Sequence, residues 1–179
     1  MRKRAVFLQF IAVLAAGAPC SLSSAFDVML QRNTPAQVYF SPNGGAMQAV
    51  VDAVSIARSE ILVQAFSFSS PVLTDALLQA HRRGVKVTLI LDKSERMEGL
   101  TPAVILSNAG IPVYLDGKHA VANNRVIVID QHILLTGSFN FSKASEEMNA
   151  ENLLMLKSRE LSTVYRDNWL KHRQHSEPY

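Results

Sequence analysis

Six residues in the C-terminal third of the chain have the types and spacing to handle a phosphate: Asn123, Arg125, Asp130, Ser138, Asn140 and Glu151. In an extended chain, residues two apart face the same way. Asn123 and Arg125 therefore share one face, with Val126 and Val128 on the other. Ser138 and Asn140 share a face just beyond the neighbouring strand, and Glu151 opens the next one. A guanidinium, a hydroxyl and a carboxamide presented from adjacent strand ends can all donate to phosphate oxygens, so the set reads as an anion cradle. It lacks an attacking group. The Asn123 amide is neither a useful nucleophile nor a general acid near neutral pH. Taken alone, Gly137-Ser138-Phe139-Asn140 also reads as a strand-to-turn cap, because Ser and Asn both serve turns.

The spacing of these residues resembles the HxK(x4)D(x6)GSxN signature of the phospholipase D superfamily. Asn123 stands at the histidine position, Arg125 at the lysine, Asp130 at the aspartate, and Gly137-Ser138-Phe139-Asn140 at GSxN, with every gap of the right length. The run from Thr136 to Ala144, followed by Asn149-Ala150-Glu151-Asn152, is similar to the small single-motif bacterial endonucleases of that superfamily. The similarity extends over essentially all of residues 26–179. It implies a mixed α/β sheet flanked by helices on both faces, the phospholipase D-like fold. It also implies a metal-independent phosphodiesterase in which one histidine attacks phosphorus and a second protonates the leaving oxygen. The lysine and asparagine positions, here Arg125 and Asn140 with Ser138 between the strands, would bind phosphate, and Glu151 would orient a histidine. Such a site needs no cofactor. With one motif per chain it implies a homodimer whose site lies on the two-fold axis.

Two positions depart from the pattern. Asn123 removes both histidine roles at once in a homodimer, a loss on the order of 10⁴–10⁶ in turnover by analogy with nucleophile deletions. Arg125 keeps the lysine's charge and gains bidentate reach, although the two geometries are not interchangeable. The sequence thus supports an exported phosphodiesterase with a degenerate motif, acting on nucleic acid or phospholipid. The alternative is a catalytically inactive phosphodiester-binding pseudoenzyme. The five histidines read as ordinary surface or helix-end groups: His81, His119, His132, His172 and His175. His119, the best placed to substitute for Asn123, lies about 13 Å back along an extended chain. Lys118 and Lys143 read as solvated, as do Glu146 and Glu147, while Phe66, Phe68 and Trp169 read as core.

The elements that must position these residues follow from hydrophobic periodicity. Strands are expected at 37–40, 61–66, 85–91, 111–115, 125–129, 133–136 and 152–156. Helices are expected at about 47–58, 71–83, 102–107 and 160–172. Alternating strands and helices predict a sheet that is parallel in its first half. The segments at 125–129 and 133–136 lie too close for a crossover, so they predict an antiparallel hairpin turning at Asp130-Gln131-His132.

The first 25 residues read differently. Arg2-Lys3-Arg4, an apolar run from Ala5 to Ala18 broken by Gln9, and Ser23-Ser24-Ala25 predict a cleaved secretory signal, and with it a periplasmic or secreted domain at 26–179. At roughly 14 residues the run is shorter than the about 20 that a span requires, although an uncleaved anchor is the bland alternative. The chain carries 18 Lys+Arg against 15 Asp+Glu. Losing three bases with the signal leaves the remainder balanced, so no global charge draws it to nucleic acid and phosphate binding must be local. Cys20, the only cysteine, would leave too, so the domain rests on its core and no disulfide.

Overall fold

Strand β2 (Glu60–Ala65) shows how the two sides of the molecule are built. Ile61, Val63 and Ala65 point into one apolar layer, while Leu62 points into a second layer on the opposite face. A strand buried on both faces needs a nearly continuous apolar run, and β2, β3 (Lys86–Asp92) and β5 (Arg125–Ile129) all have one. The computed structural model describes residues 25–96 and 99–179. The expected signal segment thus lies almost wholly outside the described residues. No helix among those described is long and apolar enough to cross a membrane.

One eight-stranded sheet runs through the molecule in the order β1-β7-β6-β5-β2-β3-β4-β8. The remaining strands are β1 (Ala36–Phe40), β4 (Val113–Asp116), β6 (Ile133–Gly137), β7 (Asn152–Lys157) and a two-residue β8 (Glu177–Pro178). β2, β3 and β4 pair in parallel. The crossovers between them carry helices α2 (Pro71–Arg82) and α3 (Pro102–Asn108). β5 pairs antiparallel with β2, and β5, β6 and β7 form a meander.

The expected parallel first half needs one correction. β1 runs in the same direction as β2 but lies at the far edge, paired antiparallel with β7. Helix α1 (Ala46–Ser55) carries the chain back from that edge to the centre. The C-terminal ends of β2, β3 and β4 therefore meet the start of β5, the end of β6 and the start of β7 along one edge of the sheet.

Helices cover both faces. Val50 and Val54 of α1, Leu73 and Leu77 of α2 and Leu106 of α3 pack on one face with Phe68, Phe139 and Phe141. On the other face Trp169 of α5 (Arg159–Arg173) packs on Leu62, Ile90, Val126, Val128 and Leu134, and its indole N–H donates to Val63 O at 2.9 Å. Trp169 and Phe68 are thus core, as expected. Side-chain caps start the helices: Ser70 accepts from Leu73 N, Thr101 from Val104 N and Ser158 from Leu161 N.

α1 has no such cap, because left-handed Gly45 precedes it. The Glu146 carboxylate supplies one from across the chain, accepting from Gly45 N at 3.0 Å and Met47 N at 2.8 Å. Glu146 is therefore not the solvated group its neighbourhood suggested. It lies on a short helix, α4 (Lys143–Glu147), that the periodicity did not show. Lys143 is solvated, at 79% side-chain exposure.

Candidate functional site

The sheet edge where β5 begins gathers most of the predicted residues. Arg125 is the first residue of β5, opposite Ala65 of β2. The loop before it is tied at both sides. Asp92, at the end of β3, accepts from Ala122 N at 2.6 Å, and Asn124 O accepts from Phe66 N at 2.8 Å. Burial alone would raise the Asp92 carboxyl, but its hydrogen bonds from Ser94 and Ala122 outweigh that and lower it. Beyond β6, Phe139 and Phe141 are buried, while the alternating Ser138 and Asn140 are only half-buried. Gly137 makes the close approach possible, since a Cβ there would lie 2.2 Å from Asn152 O. Both Ser138 N and Phe139 N donate to that same carbonyl.

Asn123, Arg125 and Asn140 come together in direct contact. Arg125 Nε donates to Asn140 Oδ1 at 2.8 Å, and Nη1 donates to Asn123 Oδ1 at 2.6 Å and to Asn123 O at 3.2 Å. The guanidinium carbon sits 5.7 Å from the Phe66 ring centroid. Phe66 is therefore a support for Arg125 and not only core. The second amino group of the guanidinium has no hydrogen-bond partner among the described residues, and both amides have their oxygens engaged. Neither amide NH2 has a hydrogen-bond partner among the described residues, so the cluster offers donors and a positive charge. Ser138 Oγ accepts from Asn152 N at 3.1 Å and Asn152 Nδ2 at 3.3 Å, which leaves its own proton free to donate outward.

Asp130 does not join them. It lies at the opposite end of β5, about 16 Å from Arg125 at ~3.3 Å per residue. Its carboxylate accepts from Arg58 N, Ser59 N, Ser59 Oγ and Glu60 N at 2.7–3.0 Å. Burial pushes this carboxyl up, and those donors more than reverse the effect, holding it below its ordinary value. The residue fixes the start of β2 against the β5–β6 turn and cannot touch a ligand at Arg125. Glu151 lies at the correct edge, beside Asn152, but among the described residues its carboxylate accepts only from Asn149 Nδ2, at 3.2 Å. No histidine is there for it to orient.

The histidines also need correcting. Only His81 and His132 are ordinary. His119, His172 and His175 converge on the fully buried carboxylate of Asp116, with contacts of 3.0, 2.7 and 3.4 Å. Burial raises the Asp116 carboxyl, but hydrogen bonds from His172, His119 and His175 together hold it well below the usual carboxylate range. His119 cannot serve in place of Asn123: its ring is turned to Asp116 on β4, three strands from β5, or about 14 Å at ~4.8 Å per strand. The convergence was not visible in sequence because it joins the end of β4 to the end of α5. A group of this composition can hold a metal ion.

The family model described as "Cardiolipin synthase, PLD-like domain" matches residues 50–172. The chain is 37% identical over 131 residues to a phospholipase D of Rickettsia felis, covering 73% of this chain and 66% of that one. It is 29% identical over 125 residues to the human mitochondrial cardiolipin hydrolase, covering 69% of this chain and 50% of that one. The chain thus spans just under two thirds of the length of the rickettsial relatives. Among solved structures, the phospholipase D family member Nuc of Salmonella typhimurium superposes with a TM-score of 0.76 at 31% identity, covering 82% of this chain and 98% of that one. NucT of Helicobacter pylori shares the fold, with a TM-score of 0.73 at 22% identity, covering 82% of this chain and 99% of that one. The chain belongs to the phospholipase D superfamily.

Proposed function

We propose that this chain is an exported member of the superfamily that recognises phosphodiesters and has lost most of the family's turnover. One observation carries the reading: Arg125 is held between the oxygens of Asn123 and Asn140, which leaves one guanidinium amino group, two amide NH2 groups and the Ser138 hydroxyl proton without a partner among the described residues at one sheet edge. That arrangement binds an anionic oxygen through several charged or polar donors. None of these groups can attack phosphorus or protonate a leaving group near neutral pH. The ligand class is the phosphodiester of a nucleic acid or of a phospholipid headgroup. The names phospholipase D and cardiolipin hydrolase support the headgroup, and the resemblance to single-motif bacterial endonucleases supports nucleic acid.

A homodimer through the same edge completes the proposal, because the superfamily site requires two motifs and this chain has one. Exposed apolar side chains border that edge: Phe40 at the end of β1, Val121 two residues before Asn123, and Met148 after α4. Placed on a two-fold axis they would be covered by their own symmetry copies.

The test pairs binding with turnover on purified protein in chelator. Titration with a short DNA and with a water-soluble phospholipid headgroup diester should show binding of at least one, with hydrolysis at background. Rapid hydrolysis of either by the unaltered chain would overturn the loss of turnover, and binding of neither would overturn the recognition. Amino-terminal sequencing of the protein recovered from the periplasm or medium checks export.

A further inference from the structure

We propose that Asp116, His119, His172 and His175 form a binding site for one divalent transition-metal ion, with zinc the first candidate. Asp116 ends β4, His119 follows in the loop, His172 stands in the last turn of α5 and His175 just beyond its C-terminal cap. Their ligand atoms, one carboxylate oxygen and three imidazole nitrogens, all lie within 4.8 Å of one another. The nitrogens that face the carboxylate are His119 Nδ1, His172 Nδ1 and His175 Nε2, at 3.0, 2.7 and 3.4 Å. With metal–ligand bonds of about 2.0–2.1 Å, tetrahedral donors sit roughly 3.3–3.5 Å apart. To enclose an ion, the tightest contact must open by about 0.6–0.8 Å and the widest separation, up to 4.8 Å, must close by roughly 1.3–1.5 Å, movements within reach of side-chain rotation.

Three features separate this cluster from a hydrogen-bonded carboxylate. Asp116 is completely buried and also accepts from Lys118 N, so one imidazole would be enough to satisfy it. The three rings are crowded on one another, with centroids 4.9, 5.2 and 5.3 Å apart. Each turns a nitrogen inward, where a proton or a metal must sit. The donor set, three imidazoles and one carboxylate, suits first-row ions such as zinc, cobalt or nickel and not magnesium or calcium, which take oxygen ligands. A cleft of about 480 Å³, lined by Lys93, Arg96, Lys118 and Glu177 among others, opens beside His175.

Four protein ligands with no position left over describe a structural ion. Its effect would fall on the loop between Asp116 and Asn123. That segment is tied at Ala122 to Asp92, and its His119 carbonyl accepts from Lys93 Nζ at 2.9 Å. An ion would fasten its other end to α5 and stiffen the segment that carries Asn123. The site does no chemistry on a phosphodiester, and the proposal stands whatever the function of Arg125.

The test uses the untagged protein, stripped with chelator and desalted. Zinc is titrated in competition with a colorimetric indicator, and cobalt(II) is followed by its tetrahedral absorption. The expected result is one equivalent bound by the wild type, with a rise in its thermal midpoint. His119→Ala, a loop substitution checked for fold by circular dichroism, should weaken zinc by about 100-fold or more and abolish the midpoint shift. Arg125→Ala should bind as the wild type does. If His119→Ala fails to fold, His175→Ala replaces it. Substoichiometric binding by the wild type, or undiminished binding by the folded variant, would show a hydrogen-bonded cluster only and overturn the proposal.

Discussion

Replacing Arg125 with alanine separates ligand contact from structural substitution at this site. The wild-type guanidinium spends two of its nitrogens on Asn140 and Asn123, at 2.8 and 2.6 Å, and offers the remaining amino group and its charge outward. A hydrogen bond to a charged group contributes about 1.5–3 kcal/mol, so Arg125→Ala should weaken phosphodiester binding by roughly 10- to 150-fold. The loss of fold stability should be smaller, about 0.5–1.5 kcal/mol, because the freed amide oxygens lie at a solvent-facing edge where water can replace the guanidinium. Arg125→Lys should fall between, keeping charge but not the fork that holds both amides. Calorimetric titration with a phosphorothioate diester at two salt concentrations measures the effect. The affinity should drop with salt, as expected for local charge in a domain without excess positive charge. Equal affinity in the wild type and Arg125→Ala would refute the reasoning and leave Arg125 as a structural brace for Asn123 and Asn140.

Gly137→Ala should cost at least about 2 kcal/mol by urea unfolding, because its Cβ would meet backbone, the Asn152 carbonyl, at 2.2 Å. Asp130→Ala should destabilise the fold by about 2 kcal/mol through the donors it leaves bare, without changing the affinity for a phosphodiester. Because the folded carboxyl of Asp130 lies below its ordinary value of 3.8, its stabilisation is present above that pH and is lost as the pH falls through the folded value. Denaturant midpoints of wild type and Asp130→Ala should therefore converge in acid. Light scattering at tens of micromolar protein should report a dimer, and Val121→Asp should shift it toward monomer.

Local pattern carried most of the fold. The strands were legible from apolar runs, and the β5–β6 hairpin from the short gap between two of them. Its turn residues Asp130 and Gln131 adopt left-handed backbone, at φ 51° and 53°, without any glycine to announce it. What escaped the sequence was pairing at a distance. Nothing in residues 36–40 says that they pair with residues 152–156, and nothing near Glu146 says that its partner is the start of α1. The same limit applies to chemistry. Arg125 and Asn140 were placed together because the signature spacing encodes adjacent strands. Asp116 and His172 lie 56 residues apart and meet only through the packing of α5 on the sheet. Asp130 matched the signature yet serves the turn, because spacing along a strand does not tell which end faces a ligand.

The site is read as a working phosphate frame, with Arg125 at the lysine position, that lacks the histidine needed for attack and proton transfer. Hydrolysis of a chromogenic phosphodiester, with chelator present, tests it most directly when the wild type is compared with Asn123→His/Arg125→Lys. Background turnover is expected for the wild type, and a gain of several orders of magnitude for the folded, dimeric double variant. A wild type that already turns over at the rate of the double variant would contradict it, and so would a double variant that binds diester normally yet stays at background.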